Sequence, residues 1–305
     1  MRITRLPDVQ RTRERNVAVG TFDGVHLGHR EVISGADSVL TFDPHPVSVV
    51  APQHTPRLLT TLERKAELIA SLGVQELIVI PFDADFARRS AAEFIDEVLV
   101  GALRARRVSI GENFRFGHKA QGDAQLLGAD ARFVTDVHPL LEVDGEIVSS
   151  SHIRGLVLAG EVAEASRLLG ASFQLSGEVA HGDERGRKLG FPTANLVPDE
   201  ALVCPGHGVY ACIAEVQQLA TARPDAPPLR RPAAVSIGVR PTFKTGRAEL
   251  IEAYILDFDG DLYATELRLE FLARLRGERR FDDADSLIAQ MRLDVQRTRE
   301  IAGGD

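Results

Sequence analysis

The sequence predicts two domains of different class, an α/β domain followed by an all-β domain that closes as a small barrel. Through residues 1–170, short apolar runs alternate with helix-periodic segments, the pattern of βαβ units on a parallel sheet. Beyond Gly170 the helical periodicity stops, and strand-like runs follow one another with turn residues between them. The halves share no internal repeat. The boundary falls near Gly170–Ser172, giving domains 1–170 and 171–305.

A chain of 305 residues, 44% hydrophobic and 26% charged, has the length and apolar content for two cores. Its net charge of -8 argues against nucleic acid as a partner and against an anionic membrane surface. Local Arg, His or backbone N–H groups can still hold an anionic small molecule. Cys204 and Cys212 lack CxxC spacing and read as small core residues in a reducing compartment. The charged start, MRITRLPDVQRTRER, lacks the apolar core of a signal peptide, and no apolar run reaches membrane-span length. A cytoplasmic protein with no membrane partner is expected.

The first strand is Val17–Gly20, followed by a short helix from about Val25 to Ala36 and a second strand, Ser38–Phe42, ending in DPHP. That connection is lean, because parallel strands need a crossover of about a dozen residues. Thr61–Leu72 reads as a helix stopped by Gly73, and Glu76–Ile80 as the third strand. Ser90–Leu99 is a helix opened by a capping box of Ser90 and Glu93. Arg107–Ile110 is a fourth strand running into GENFRFG, and Ala131–Val134 with Val137 supplies a fifth. A helix follows VSSSHIR with Ser151 as its N-cap, and Glu161–Leu169 is another, ended by Gly170. In the second half, Gln174–His181, Val209–Val216, Ala233–Ile237, Leu250–Phe258 and Glu266–Phe271 read as strands. Gln217–Arg231 is Pro-rich and reads as a surface loop. Ala284–Ile301 reads as an amphipathic helix with Leu287, Ile288, Met291 and Val295 on one stripe.

Two stretches carry chemistry. In VAVGTFDGVHLGH, Val17–His29, Gly20 and Gly24 let the backbone approach a ligand. The helix that starts there turns free N–H groups toward an anion, and His26 and His29 share its first turn. Phosphate binding is the expectation, although neither GxxxxGK[ST] nor GxGxxG is present. VSSSHIR offers a second helix start, with the hydroxyls of Ser149, Ser150 and Ser151 and the cation of Arg154. The plainer alternative is a pair of solvated histidines, a serine-rich cap and a surface arginine. In the second half, Gly186 and Gly190 frame Arg187 and Lys188, suiting a loop that covers phosphates. After Phe191 and Pro192, Thr193 and Asn195 present oxygens on one side of an extended segment, which suits Mg²⁺. Glu252 interrupts an apolar strand and is a candidate general base. A turn entering a strand and an ordinary solvated alternation are the competing explanations.

At these residues the chain resembles the bifunctional riboflavin kinase/FAD synthetases of bacteria. GTFDGVHLGH, TFDPHP, GENFRFG and VSSSHIR are similar to the FMN adenylyltransferase module. GRKLGFPTANL, GVYA, IGVRPTF, IEAYILDF and RGERRF are similar to the riboflavin kinase module, in the same order along nearly the whole chain. HxGH-type motifs recur across nucleotidylyltransferases, whereas their combination with GFPTAN is specific.

The resemblance implies an N-terminal Rossmann-like nucleotidylyltransferase domain and a C-terminal six-stranded antiparallel barrel with a C-terminal helix. It implies phosphorylation of riboflavin by ATP to FMN, then adenylylation of FMN by a second ATP to FAD and pyrophosphate, both with Mg²⁺. His26, His29 and Arg154 would act on the phosphates of ATP in the first reaction, with Gly20, Phe22, Asp23, Gly24, Asn113, Ser149, Ser150 and Ser151 binding the nucleotide. Asp43, Pro44, His45 and Pro46 would lie on the flavin side. In the kinase, Glu252 would be the base and Thr193 and Asn195 the metal ligands. Gly186, Arg187, Lys188, Gly190, Phe191 and Pro192 would bind the nucleotide, and Glu278 and Phe281 the flavin. The partners implied are ATP, riboflavin and FMN, for a monomer or weak homo-oligomer.

The chain departs from the family pattern at Ser151, where Thr is usual, at Ala264 in place of a usual Gly, and at Asp282-Asp283 after Phe281. The crossover between His29 and Thr41 is short by about two helical turns. Two other functions therefore stand beside the main expectation. One is a kinase with impaired adenylyltransferase; the other is a non-catalytic flavin- or nucleotide-binding regulator.

Overall fold

The computed structural model describes residues 1–180, 190–216, 228–242, 246–263 and 265–303. It divides into two compact units, Met1–His152 and Ile153–Asp305.

The first unit is built on a six-stranded parallel sheet: β1 (Arg2–Arg5), β2 (Arg15–Val19), β3 (Ser38–Asp43), β4 (Glu76–Pro81), β5 (Ala105–Gly111) and β6 (Val134–His138). Their order across the sheet is β1-β4-β3-β2-β5-β6, every neighbouring pair parallel. Strand alternation feeds two cores. Val17, Val19, Leu40, Phe42 and Ile78 face one side, and Ala18, Val39, Leu77 and Val79 the other. Helices cover both faces, among them α1 (Leu27–Ile33), α2 (Pro46–Val50), α3 (Leu62–Ser71), α4 (Ala91–Glu93, continuing as a π-helix over Phe94–Ala102) and α5 (Ala124–Gly128).

Six strands replace the five expected. The additional strand, β1, has no apolar run to mark it: it is a charged edge strand whose single aliphatic residue, Ile3, is exposed, and edges carry charge rather than an apolar run. The capping box of Ser90 and Glu93 forms as expected. The lean crossover after His29 closes with a two-turn helix, α1, that still buries Val32 and Ile33, while Val17–Val19 keep their register with Ser38–Leu40.

The second unit holds α6 from its fourth residue on (the helix spans Ser150–Ala159), α7 (Val162–Leu169), six strands and a last helix. The strands are β9 (Phe173–Ala180), β10 (Ala194–Pro198), β11 (Gly208–Val216), β12 (Leu229–Thr242), β13 (Gly246–Ile255) and β14 (Glu266–Arg276); β7 (Glu142–Val143) and β8 (Glu146–Ile147) are a small hairpin of the first unit. They close as a barrel in the order β10-β13-β12-β11-β14-β9, all antiparallel. Residues 229–231, expected in a loop, belong to β12, where Arg230 pairs with Glu215 in register and forms an ion pair with Glu270 at 2.7 Å. The C-terminal helix α8 (Ala284–Gly303) packs against β11, β12 and β14 with Leu287, Ile288, Met291 and Val295 half-buried, the stripe the sequence predicts. That stripe also includes Asp294 and Thr298, both buried.

Candidate functional site

In the first unit, chain order along the sheet reverses between β2 and β5. The carboxyl ends of β3, β2 and β5 lie side by side there, the position at which open α/β sheets hold ligands. They deliver Asp43, Gly20 and Asn113 to one rim. The loop after β2 is tightly folded: Phe22 (φ 49°), Gly24 (φ 85°) and Val25 (φ 43°) all adopt left-handed backbone. For β-branched Val25 that conformation is strained, and strain of this kind persists where the surroundings over-determine it. Here the buried Asp23 does so. Its carboxylate accepts the N–H of Leu59 at 2.9 and 3.1 Å and that of Thr60 at 3.2 Å, while the Thr60 hydroxyl accepts the Gly24 N–H at 3.2 Å.

His26 is the N-cap of α1, its Nδ1 accepting the His29 N–H at 3.2 Å, which leaves the ring proton on Nε2. The two imidazoles stack with centroids 3.5 Å apart, and the Phe22 ring meets His29 edge-on at 5.3 Å. Gly20 suits this arrangement, since a Cβ there would press the Phe22 ring at 3.0 Å. His29 Nδ1 is buried without a hydrogen-bond partner among the described residues. Burial, then electrostatic interaction with His26 and with Lys65, hold the His29 imidazole well below its ordinary range, so it is neutral at pH 7.

The serine motif meets this loop directly. The Ser150 hydroxyl donates to the Asp23 carbonyl at 2.9 Å, and the N-cap of α6 is Ser149, whose Oγ accepts the His152 N–H at 3.2 Å. Ser149 therefore replaces the expected Ser151, which sits exposed one residue into the helix. Arg154 lies half-buried one turn further on. On the flavin-expected side, a cis bond joins Asp43 to Pro44, and His45 caps α2 by accepting the Val47 N–H at 3.2 Å. Pro46 is the first residue of that helix.

Lys65 is not among the site residues the sequence predicts, yet it is only 8% exposed on the core-facing side of α3. Burial pulls its ammonium below the ordinary lysine range, partly opposed by the charges of Asp23 and Asp43. A charged residue three positions after Leu62, on a stripe continued by Ala66 and Ile69, was the available signal.

In the barrel, Asn195 on β10 is the register partner of Glu252 on β13, and Glu252 is in turn the partner of Ser236 on β12. Directly opposed residues of antiparallel strands project from the same face, so three polar side chains form one row across three strands. Glu252 and Tyr254 are half-buried and alternate with buried Ile251, Ala253 and Ile255, which puts the carboxylate outside the core. Thr193, two residues before Asn195 in extended chain, is half-buried as well. Phe191 anchors this entry by packing edge-on against Tyr254 at 5.3 Å, beside exposed Pro192; Gly190 has φ 86°. Glu278 lies over the same side of β12, where a Cβ on Gly238 would sit 2.7 Å from its Oε1. Gly186, Arg187, Lys188 and Ala264 lie outside the described residues.

Residues 8–152 match the FAD synthetase family and residues 169–302 the riboflavin kinase family. A bifunctional riboflavin kinase/FMN adenylyltransferase of Listeria monocytogenes is 38% identical over 93% of this chain and 91% of its own length. Its counterpart in Escherichia coli K12 is 36% identical over 94% and 92%. The crystal structure of a protein described as a macrolide-efflux protein from Streptococcus pneumoniae superposes with a TM-score of 0.87 at 30% identity, covering 98% of this chain and 99% of that one. Among the described residues, no helix is long and apolar enough to cross a membrane.

Proposed function

The chain belongs to the bifunctional riboflavin kinase/FMN adenylyltransferases, and from that premise we propose which of its residues carry each half of FAD synthesis. The division of labour runs 1–170 for adenylylation and 171–305 for phosphorylation. In both reactions positioning and charge stabilisation dominate, as is general for phosphoryl and nucleotidyl transfer.

In the first domain a phosphate oxygen of FMN bonds to the α-phosphorus of ATP as the bond to pyrophosphate breaks. The nucleophile is already an anion, so no base is needed. His26 and His29 donate to the α-phosphoryl oxygens as charge builds there. Ser149, Ser150, Ser151 and Arg154 hold the departing pyrophosphate. Gly20, Phe22, Asp23 and Gly24 shape the loop, with Asp23 acting through the Leu59–Thr60 amides it binds. Asn113 orients the nucleotide, and Asp43, Pro44, His45 and Pro46 form the flavin wall. The orphaned Nδ1 of His29 supports a ligand at this place.

In the barrel the 5′-hydroxyl of riboflavin bonds to the γ-phosphorus of ATP, ADP leaves, and Glu252 takes the hydroxyl proton. Thr193 and Asn195 supply two neutral oxygens beside the Glu252 carboxylate, a hard donor set that fits Mg²⁺ with its preference for oxygen and few protein ligands. Bound there, the ion would offset the phosphate charge of ATP. Gly190, Phe191 and Pro192, with Gly186, Arg187 and Lys188, would line the nucleotide; Glu278 and Phe281 face the flavin. The observation that carries the kinase assignment is the register of Asn195 with Glu252, residues far apart in sequence and of no evident structural need for each other. Two buried cysteines and ATP as co-substrate accord with a cytoplasmic setting, with the chain acting as a monomer or weak homo-oligomer.

Product separation after incubation with riboflavin, ATP and Mg²⁺ tests the assignment. Glu252→Gln is expected to stop FMN formation while FMN supplied from outside still becomes FAD, and His29→Ala to do the reverse. Loss of both activities in either folded variant would refute the division of labour. FMN without FAD from the unaltered chain would mean that the short crossover has disabled the first domain, and neither product despite binding would mean a regulator.

A further inference from the structure

The inward face of α8 poses a physical question. Asp294 is 3% exposed and Thr298 is 0% exposed, at positions of a helix stripe where apolar residues are expected. Asp294 is engaged on every side. Its carboxylate accepts Arg276 Nε at 3.0 and 3.2 Å, Arg276 Nη2 at 2.8 Å and Gln290 Nε2 at 2.9 Å. Its carbonyl accepts the Thr298 hydroxyl at 2.8 Å. A buried ion pair is a poor device for stability alone, because an apolar pair of similar volume commonly does as well. A planar, doubly bonded guanidinium is, however, fixed in orientation.

What that guanidinium faces supplies the answer. Arg276 is the last residue of β14, and its guanidinium carbon stands 5.7 Å from the centroid of the Phe281 ring. Between them the chain passes Gly277 to Glu278, whose carboxylate occupies the space left by the missing side chain of Gly238. Gly238 is two residues along β12 from Ser236, hence on the same face, and Ser236 is the register partner of Glu252.

We propose that Asp294 is a positioning residue of the riboflavin kinase site: through Arg276 it fixes the ring of Phe281, and the segment leading to it, over the barrel face that carries Asn195 and Glu252. The proposal rests on the assignment of Glu278 and Phe281 to the flavin side. A ring held in place before riboflavin arrives need not be ordered on binding, which strengthens capture of the flavin without touching the transferred phosphoryl group. Asp294 thus acts on substrate affinity rather than on chemistry.

Steady-state kinetics of both reactions on the full chain test this. Asp294→Asn keeps the shape and removes the charge. It is expected to raise KM for riboflavin about tenfold with kcat altered less than about twofold, the loss of one oriented cation–π contact. Adenylylation of supplied FMN stays as in the unaltered chain, and Asp294→Glu recovers most of the affinity. Phe281→Leu also raises KM, and the double variant Asp294→Asn/Phe281→Leu goes no further than the larger single effect, as for residues acting through one another. Unchanged KM in Asp294→Asn alongside a raised KM in Phe281→Leu overturns the proposal alone. Unchanged KM in Phe281→Leu overturns the flavin-side assignment beneath it. A fall in kcat and melting temperature in Asp294→Asn, additive with Phe281→Leu, would make Asp294 a purely structural residue and equally overturn it.

Discussion

At the scale of single residues, His29 is neutral in the free protein because burial, then the electrostatic influence of the stacked His26 ring and the charge of Lys65, disfavour its protonation. ATP phosphates arriving beside it reverse that field and pull its proton affinity up. Nucleotide binding to the first domain is therefore expected to take up protons, and its affinity to rise as pH falls toward the free-state value of His29, below 6.5. Calorimetric titrations of the Glu252→Gln chain in buffers of different ionisation enthalpy measure this directly; buffer-independent heats would contradict it. Lys65 tunes the effect, and its buried ammonium is the counter-charge for both Asp23 and Asp43. Such a lysine is easily passed over in sequence, because one cation among helix-forming residues reads as surface and only its place on the stripe of Ala66 and Ile69 marks it as buried. Asp294 was hidden in the same way. Thr193 and Asn195 are legible as an oxygen pair two residues apart and Glu252 as a polar interruption of an apolar strand, but their convergence depends on barrel register, which local pattern does not encode.

At the scale of elements, the alternation of strand and helix was readable because each strand of the sheet interior is an apolar run and each long helix keeps a stripe. β1 and the five-residue helices α2 and α5 were not, being too short or too charged to show a period. The barrel strands carry a constraint of their own at Gly177. A Cβ there would fall on the carbonyl of Val197 in the neighbouring strand, a backbone atom that no side-chain rotation can clear. Gly177→Ala must part β9 from β10, the strand that bears Asn195. We expect a loss of about 1–3 kcal/mol, typical of overpacking, with a fall in riboflavin phosphorylation and unchanged adenylylation of supplied FMN. Thermal unfolding together with the two assays would check it.

At the scale of the whole molecule, two units with separate cores should fail separately. The first has an electrostatic anchor in Glu76, buried against Arg15 at 3.0 Å and also paired with Arg2 at 2.8 Å and Arg13 at 3.0 Å. Burial alone would raise the Glu76 carboxyl, but the hydrogen bonds and charges of these arginines outweigh it and hold the group below its ordinary 4.5. Because the folded value is depressed, the associated stability is fully present above pH 4.5 and disappears as pH falls through the folded value. Glu76→Gln leaves Arg15 buried without its counter-charge, at a cost of about 3–5 kcal/mol. Heat inactivation followed by both assays should show adenylylation failing at a lower temperature and riboflavin phosphorylation failing where it does in the unaltered chain. A common, unshifted inactivation temperature would contradict separate failure.

Closing the barrel has one more consequence. Both cysteines of the chain, Cys204 and Cys212, lie in the barrel unit, 5% and 0% exposed, and burial holds the Cys212 thiol in its protonated, unreactive form. The sheet unit holds no cysteine at all. At Cys212, within β11, a thiol reagent added to the folded protein is therefore a clock that ticks only when the barrel opens, with the sheet unit silent to it.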